Sequence, residues 1–434
     1  MSFPATPPLP QSLPACEIRE KLTKMSTIKR NIQQKCLKLL EWFPALIILG
    51  ARQVGKTTLA KTLGQDWLYL DLEQPDDFDR LSYDPKFFFE EHPQAVIFDE
   101  AQEHPEIFKI LRGVIDADRQ KKGRFILTGS SSPSLIQAVS ETLAGRVAIV
   151  ELSTLKCNEF YSLPLSPFFT LFENELSNKL PINGPPPLTR ERIRHLWFYG
   201  GYPEPLINDN TAQHALWMQN YRDTYINRDV GKLFPKLNRH AYRRFLIMLC
   251  KLSGTIINKS QVGRAIETSE SSIRDYLEIA DGTYIWRTVN SFENSVIKSI
   301  TKMPKGYIRD SGLLHFLLGI NTPEALMTDP IVGASFEGFV CEELIKGIEA
   351  SNITNWNYNY FRTRGGAEVD LVLSGPFGTL PIEIKYGSTV SRNSLKSLKA
   401  FIDSHQLPMG MLINHGKQIE WLTPDIVQVP VGWL

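Results

Sequence analysis

The chain lacks paired cysteines, any apolar run of membrane-spanning length and any real excess of one charge, and each absence removes a class of protein. Cys16, Cys36, Cys157, Cys250 and Cys341 contain no CxxC and leave one over from any pairing. That argues against a disulfide scaffold or a zinc finger and predicts free thiols in a reducing, cytoplasmic compartment. The longest apolar run, Trp42 to Ala51, is about half of the ~20 residues a membrane helix needs. It reads as a buried strand, and no membrane partner is expected. Lys and Arg total 48 against 47 Asp and Glu, so a nucleic-acid partner would have to be held by local basic patches rather than by an overall field.

What is present is a modular globular sequence. A length of 434 residues, 42% hydrophobic and 22% charged, predicts two to four domains with apolar cores. The opening MSFPATPPLPQSLPAC is proline-rich and predicts disorder over 1–25. Leu13-Pro14-Ala15-Cys16 has the outline of a lipid-attachment site without the basic and apolar segments that precede one. Met25 stands as an alternative start.

From Ser26 to Trp42, Ile28, Ile32, Cys36, Leu39 and Leu40 fall at helical spacing. Five apolar runs follow, at 45–50, 67–72, 95–99, 124–128 and 147–152. Buried strands alternating with helices predict a parallel α/β sheet over 26–160. Proline-rich 161–188 reads as a linker or surface insertion. Residues 189–290 read as helical, ending in two short helices, Gln261–Ile266 and Glu270–Ala280, and a strand from Thr283, a winged-helix pattern. The tail, 291–434, carries a helix after Ser335 and strands near Tyr358, Val369–Leu373 and Ile382–Lys385, a second α/β unit.

Gly50-Ala51-Arg52-Gln53-Val54-Gly55-Lys56-Thr57 satisfies G-x-x-x-x-G-K-[ST] between an apolar strand and a helix beginning Thr58-Leu59. Such a loop wraps phosphates with backbone N–H groups, while Lys56 reaches the β and γ phosphates and Thr57 helps hold Mg²⁺. About 45 residues on, the run ending in Asp99-Glu100 supplies the second Mg²⁺ ligand and a carboxylate able to polarise water. Ser130, in Leu127-Thr128-Gly129-Ser130-Ser131, is a candidate contact to the γ phosphate, and Arg146 a candidate for transition-state charge, with a surface ion pair as its plainer alternative. No N-K-x-D motif occurs, so ATP is expected over GTP.

These motifs, with Leu143-Ala144-Gly145-Arg146-Val147, Tyr199-Gly200-Gly201-Tyr202-Pro203-Glu204-Pro205 and the TyrIleAsnArgAspVal stretch at 225–230, resemble a family of prokaryotic AAA-type ATP-binding proteins. In that family an ATPase resembling the archaeal ATPase group precedes a C-terminal domain of unassigned function. The resemblance runs from about Ile28 to Gly387. It implies a P-loop NTPase core of AAA type, then helical and winged-helix segments, then a smaller α/β restriction-endonuclease-like domain.

Read from the residues, Asp370 and, after twelve residues, Glu383 and Lys385 lie on paired strands, resembling the D…ExK core of restriction-like nucleases. Asp370 and Glu383, with Glu337 on the preceding helix, could bind Mg²⁺, and Lys385, on the face of Glu383, could position water. The alternative is a salt-bridged hairpin. Arg264, Ser271, Ser272 and Arg274 are candidate DNA contacts of the helix pair. Arg222, Arg228, Arg243 and Arg244 add cationic charge nearby, and Arg362 and Arg364 would suit phosphates. Two functions compete: an ATPase-coupled enzyme acting on DNA, and a nucleotide-switched regulator with a non-catalytic C-terminal unit. A polypeptide-remodelling ring ranks third, because no pore loop is identifiable. A homo-oligomer is compatible with all three.

Overall fold

Apolar β-branched runs with no polar face must be covered on both sides, and that dictates the first sheet. The computed structural model describes residues 28–130, 141–208, 210–234, 237–293, 302–363, 365–388 and 395–434, without the side chains of 226–229, 232 and 233. Strands β1 (Ala45–Gly50), β2 (Leu68–Asp71), β3 (Val96–Asp99), β4 (Phe125–Ser130) and β5 (Val147–Glu151) form a parallel sheet in the order β2-β3-β4-β1-β5. Leu46 and Ile48 face the Gln33–Trp42 and Lys56–Leu63 helices, and Ala45, Ile47 and Leu49 face the layer containing the Ile107–Ala117 helix. All C-terminal strand ends share one rim, where ligands bind in open α/β sheets.

Proline-rich 161–188 differs from the expected linker. Pro167–Glu173 forms a 3₁₀ turn that buries Phe168, Phe169, Leu171 and Phe172 in the C-terminal core. Phe172 packs edge-on against Phe377, with ring centres 5.0 Å apart. The prolines fix the turns while the aromatics between them fill a core, so composition alone gave the wrong location.

Helices Lys259–Ala265 and Glu270–Gly282 then lead into an antiparallel pair, β6 (Trp286–Ser291) and β7 (Lys305–Ile308). This pair does not end the unit. β6 also lies parallel to β8 (Asn357–Arg362), extending a mixed sheet through β9 (Glu368–Gly375), β10 (Gly378–Ile384), β11 (Gly410–Asn414), β13 (Ile426–Pro430) and β12 (Glu420–Thr423). The boundary expected at 290 therefore falls inside a strand of a continuous sheet. Among the described residues no helix is long and apolar enough to cross a membrane. Cys36, Cys157, Cys250 and Cys341 are free and buried. The 1–25 opening with Cys16, Ser131, the Arg228 side chain and Arg364 lie outside what is described.

Candidate active site

The loop after β1 has two backbone requirements that only glycine meets cheaply. A Cβ on Gly50 would lie 2.2 Å from the Leu152 carbonyl oxygen, and Gly55 sits at φ 95°, the left-handed region. Gly55 is also the cap residue of the Lys56–Leu63 helix, so the loop's N–H groups and the helix N-terminus converge where an anion would sit.

Lys56 is 5% exposed and donates to the Gly50 and Ala51 carbonyls at 3.2 and 3.0 Å. Burial lowers its pKa, against the pull of Glu100 and Asp99; a phosphate would restore the partner that burial removes.

Register places Asp99 at the sheet rim beside Thr128, and three hydroxyls hold its carboxylate. Thr57 Oγ1 and Tyr69 Oη each donate to Asp99 Oδ2 at 2.7 Å, and Thr128 Oγ1 donates to Oδ1. A hydroxyl and a carboxylate side by side are hard oxygen donors suited to Mg²⁺. Glu100 follows at φ 50°, ψ 50°, a left-handed turn at the end of the strand. Its Oε2 accepts from Gln102 Nε2 at 2.6 Å and from the Ser130 backbone N–H at 3.3 Å. Lys56, Thr57, Asp99, Glu100 and Ser130 thus come together.

Arg146 does not join them. It precedes Val147, which pairs with Ala45 at the opposite end of β1 from Gly50, and its guanidinium forms a two-point pair with Asp116 at 2.8 Å.

Sequence reasoning missed Tyr69 and Arg30. Arg30 donates to the Val54 carbonyl at 2.8 Å, to Ser153 O at 2.6 Å and to Glu159 Oε2 at 3.1 Å. It also borders an open cleft beside Gly55 and Thr58, walled by Ile28, Leu59 and Pro203. Pro203 belongs to the Tyr199–Pro205 motif, and that motif is the signal that could have located the cleft.

The second constellation also assembles. Asp370 on β9, Glu383 on β10, Lys385 just beyond it and Glu337 on the Val332–Ala350 helix converge. Lys385 Nζ lies 2.5 Å from Glu383 and 3.6 Å from Asp370. Burial, then the Asp370 charge, pushes Glu383 up to about 8 and Glu337 up to about 7. One further member was not anticipated. Lys305, on β7 and 2% exposed, reaches Glu337 at 2.6 Å, Glu368 at 2.9 Å and Asp370 at 3.9 Å. Burial acts to lower its pKa, but Glu337, Asp370 and Glu368 outweigh it.

Among the candidate DNA contacts, Arg264, Ser271 and Arg274 are exposed. The Glu270–Gly282 helix, which carries Ser271 and Arg274, also exposes Glu270, Asp275 and Glu278, so its outer face is not basic. Arg222 pairs with Asp223 at 2.9 Å, Arg243 and Arg244 are exposed, and Arg362 lies 3.7 Å from Glu368.

The sequence matches the AAA domain family over residues 43–161, a domain of unknown function (DUF8612) over 190–324 and a second (DUF4143) over 332–434. It is 30% identical over 432 residues to the uncharacterized proteins Rv2008c of Mycobacterium tuberculosis and Mb2031c of Mycobacterium bovis, covering 97% of this chain and 89% of each of those. The Holliday junction branch migration motor RuvB of Thermotoga maritima is similar at 13% identity, covering 59% of this chain and 88% of that one, with a TM-score of 0.29. DnaA from Aquifex aeolicus is similar at 14%, covering 58% and 86%, with a TM-score of 0.27. Neither score carries an argument about this chain. The two mycobacterial matches run nearly end to end, and the chain belongs to their family, one with an AAA domain followed by domains of unknown function.

Proposed function

We propose that the protein is a Mg²⁺-dependent ATPase whose nucleotide state is read out by the C-terminal unit, a nucleotide-switched regulator rather than a nuclease. One observation carries the reading: Thr57 and Asp99 meet at 2.7 Å beside buried Lys56, with Glu100 next along the chain. Loop N–H groups and Lys56 would bind the phosphates, and the loop residues Ala51, Arg52, Gln53 and Val54 would follow their outline. Thr57 and Asp99 would hold Mg²⁺, which when bound offsets phosphate charge. Glu100 would orient and deprotonate the attacking water, and Ser130 and Thr128 line the same rim. The cleft beside Gly55 and Thr58 would seat the base. Arg146, at the far end of the sheet, can serve a phosphate only on another copy of the chain, which ties its catalytic role to a homo-oligomer.

Read-out has a physical route. Arg30 joins Val54 to Ser153. Arg309 donates to Ser153 Oγ at 3.1 Å and to Glu151, and lies 3.6 Å from Glu342 on the Val332–Ala350 helix. Arg287 on β6 pairs with the same Glu342. These contacts run from the loop to the helix that carries Glu337.

A second reading, cleavage or binding of nucleic acid by a restriction-endonuclease-like C-terminal unit with a winged helix before it, is favoured by the convergence of Asp370, Glu383, Lys385 and Glu337. The acidic outer face of the Glu270–Gly282 helix counts against phosphate contact there. The test is turnover of ATP and GTP by wild type, Lys56→Ala and Glu100→Gln, with and without DNA, the same samples being run for strand breaks. ATP turnover lost in both variants with DNA intact is the expected result. DNA-stimulated turnover with breaks lost in Asp370→Ala would replace the regulator by the nuclease.

A further inference from the structure

We infer that Lys305 takes the place of the divalent metal ion implied by the Asp370…Glu383-x-Lys385 pattern, so that the acids around Asp370 form a metal-independent ion-pair cluster tying β7 to β9 and to the Val332–Ala350 helix. The inference does not depend on the ATPase reading.

A divalent site of this kind needs carboxylate oxygens of Asp370 and Glu383 free to turn on one point, at about 2.0–2.1 Å for Mg²⁺, with water or phosphate completing the shell. Here the point is taken by an ammonium: Lys305 Nζ is 2.6 Å from Glu337, 2.9 Å from Glu368 and 3.9 Å from Asp370. Lys385 closes the other side, at 3.6 Å from Asp370 and 2.5 Å from Glu383. Asp370 Oδ2 already accepts the Ile384 backbone N–H at 2.8 Å. Glu383 Oε2 is a buried oxygen without a partner, but Asp370, the carboxylate that would have to share an ion with it, is already committed to the Ile384 N–H and lies between Lys305 and Lys385.

The strand also holds the lysine's backbone beside the acids. Its backbone pairs with Val289 across the β6–β7 ladder and bridges to Ile256 on the other side. Two residues along the strand, and so on the same face, Tyr307 donates its hydroxyl to Glu337. β7 therefore presents two donors to one carboxylate. An ammonium held by one buried and two partly buried carboxylates balances their charge, whereas removing it leaves that charge uncompensated, for a metal ion to satisfy.

The test is Mn²⁺ titration of the full chain, followed by electron paramagnetic resonance, in an Asp99→Asn background that silences the phosphate-loop ligands. With Lys305 present, the isotherms of the Asp370 and Asp370→Asn chains are expected to superimpose. Lys305→Ala is expected to gain one site about tenfold or more tighter than any background binding, and Asp370→Asn is expected to abolish it. Submillimolar Mn²⁺ binding that is present with Lys305 and disappears in Asp370→Asn overturns the inference. So does a folded Lys305→Ala chain that gains no site. Should Lys305→Ala fail to fold, the comparison of Asp370 with Asp370→Asn decides by itself.

Discussion

Arg30 Nη1 donates at 2.8 Å to the carbonyl of Val54, inside the phosphate loop, while its other nitrogens hold Ser153 and Glu159. One buried guanidinium thus fixes the loop against the segment that follows β5. Arg30 also borders the cleft beside Gly55, so losing it should affect nucleotide binding before it affects chemistry. Arg30→Met is expected to raise KM for ATP on the order of tenfold or more, with a smaller change in kcat. Arg30→Lys should recover little, because Val54, Ser153 and Glu159 are each met by a different nitrogen of the planar guanidinium fork, and one ammonium nitrogen does not reproduce that spread. Steady-state kinetics with nucleotide-binding titration measure both, and an unchanged KM would remove Arg30 from this role.

At the rim of the first sheet, binding and chemistry should separate. Glu100→Gln retains the loop, Lys56 and the Thr57–Asp99 pair, so ATP should still bind while kcat falls by about 10²–10⁴. Lys56→Ala deletes the cation that faces the phosphates and should abolish binding. Asp99→Asn should raise the Mg²⁺ concentration needed for half-maximal turnover. Equal loss of binding in Glu100→Gln and Lys56→Ala would show that Glu100 is structural.

The first sheet was legible because parallel strands covered on both faces are continuous apolar runs, and 45–50 or 124–128 could be little else. The strand–loop–helix setting of residues 50–57 was legible because those residues are consecutive. Arg30, Tyr69 and Lys305 were not, since each acts on a residue far along the chain. Arg30 reaches Glu159 across 129 positions, and Lys305 reaches Glu368 across 63; no local spacing encodes such a pairing. The 167–173 turn shows the converse, local composition pointing to a surface while tertiary packing buries the aromatics.

His315 gives a pH dependence of defined sign. It is buried, with Nδ1 2.9 Å from the Phe198 carbonyl and Nε2 2.7 Å from Ser335 Oγ, which also accepts the Trp197 indole N–H at 2.9 Å. The carbonyl requires Nδ1 to be the protonated nitrogen of a neutral ring. Burial lowers its pKa to about 4, against about 6.5 unfolded. Between those values the unfolded chain binds the extra proton, so this contribution is full above about pH 6.5 and is lost as pH falls toward 4, by at most about 1.4 kcal/mol per unit. Glu337 and Glu383 titrate in the opposite sense. The measurement is therefore the difference between wild type and His315→Gln in denaturant midpoints from pH 7 to 4.5, and a constant difference would contradict the assignment.

The Arg309–Glu342 contact tests whether the two units communicate or merely adhere. The Arg309 side chain is 9% exposed, and burial and the neighbouring Arg287 work against its charge until Glu151 and Glu342 outweigh them. Glu342→Gln leaves Arg287 and Arg309 short of a buried carboxylate and should cost about 3–5 kcal/mol, seen as a lower midpoint whether or not ATP is present. Adhesion predicts nothing more. Communication predicts that ATP changes hydrogen exchange in β9 and β10, that Lys56→Ala removes the change, and that Arg309→Gln removes it while leaving ATP binding intact. A double-mutant cycle between Arg30 and Arg309, read on that exchange signal, should then show a coupling of about 1 kcal/mol or more. Additive effects would mean that contiguity between loop and helix is structural, and that the C-terminal unit senses nucleotide by another route or not at all.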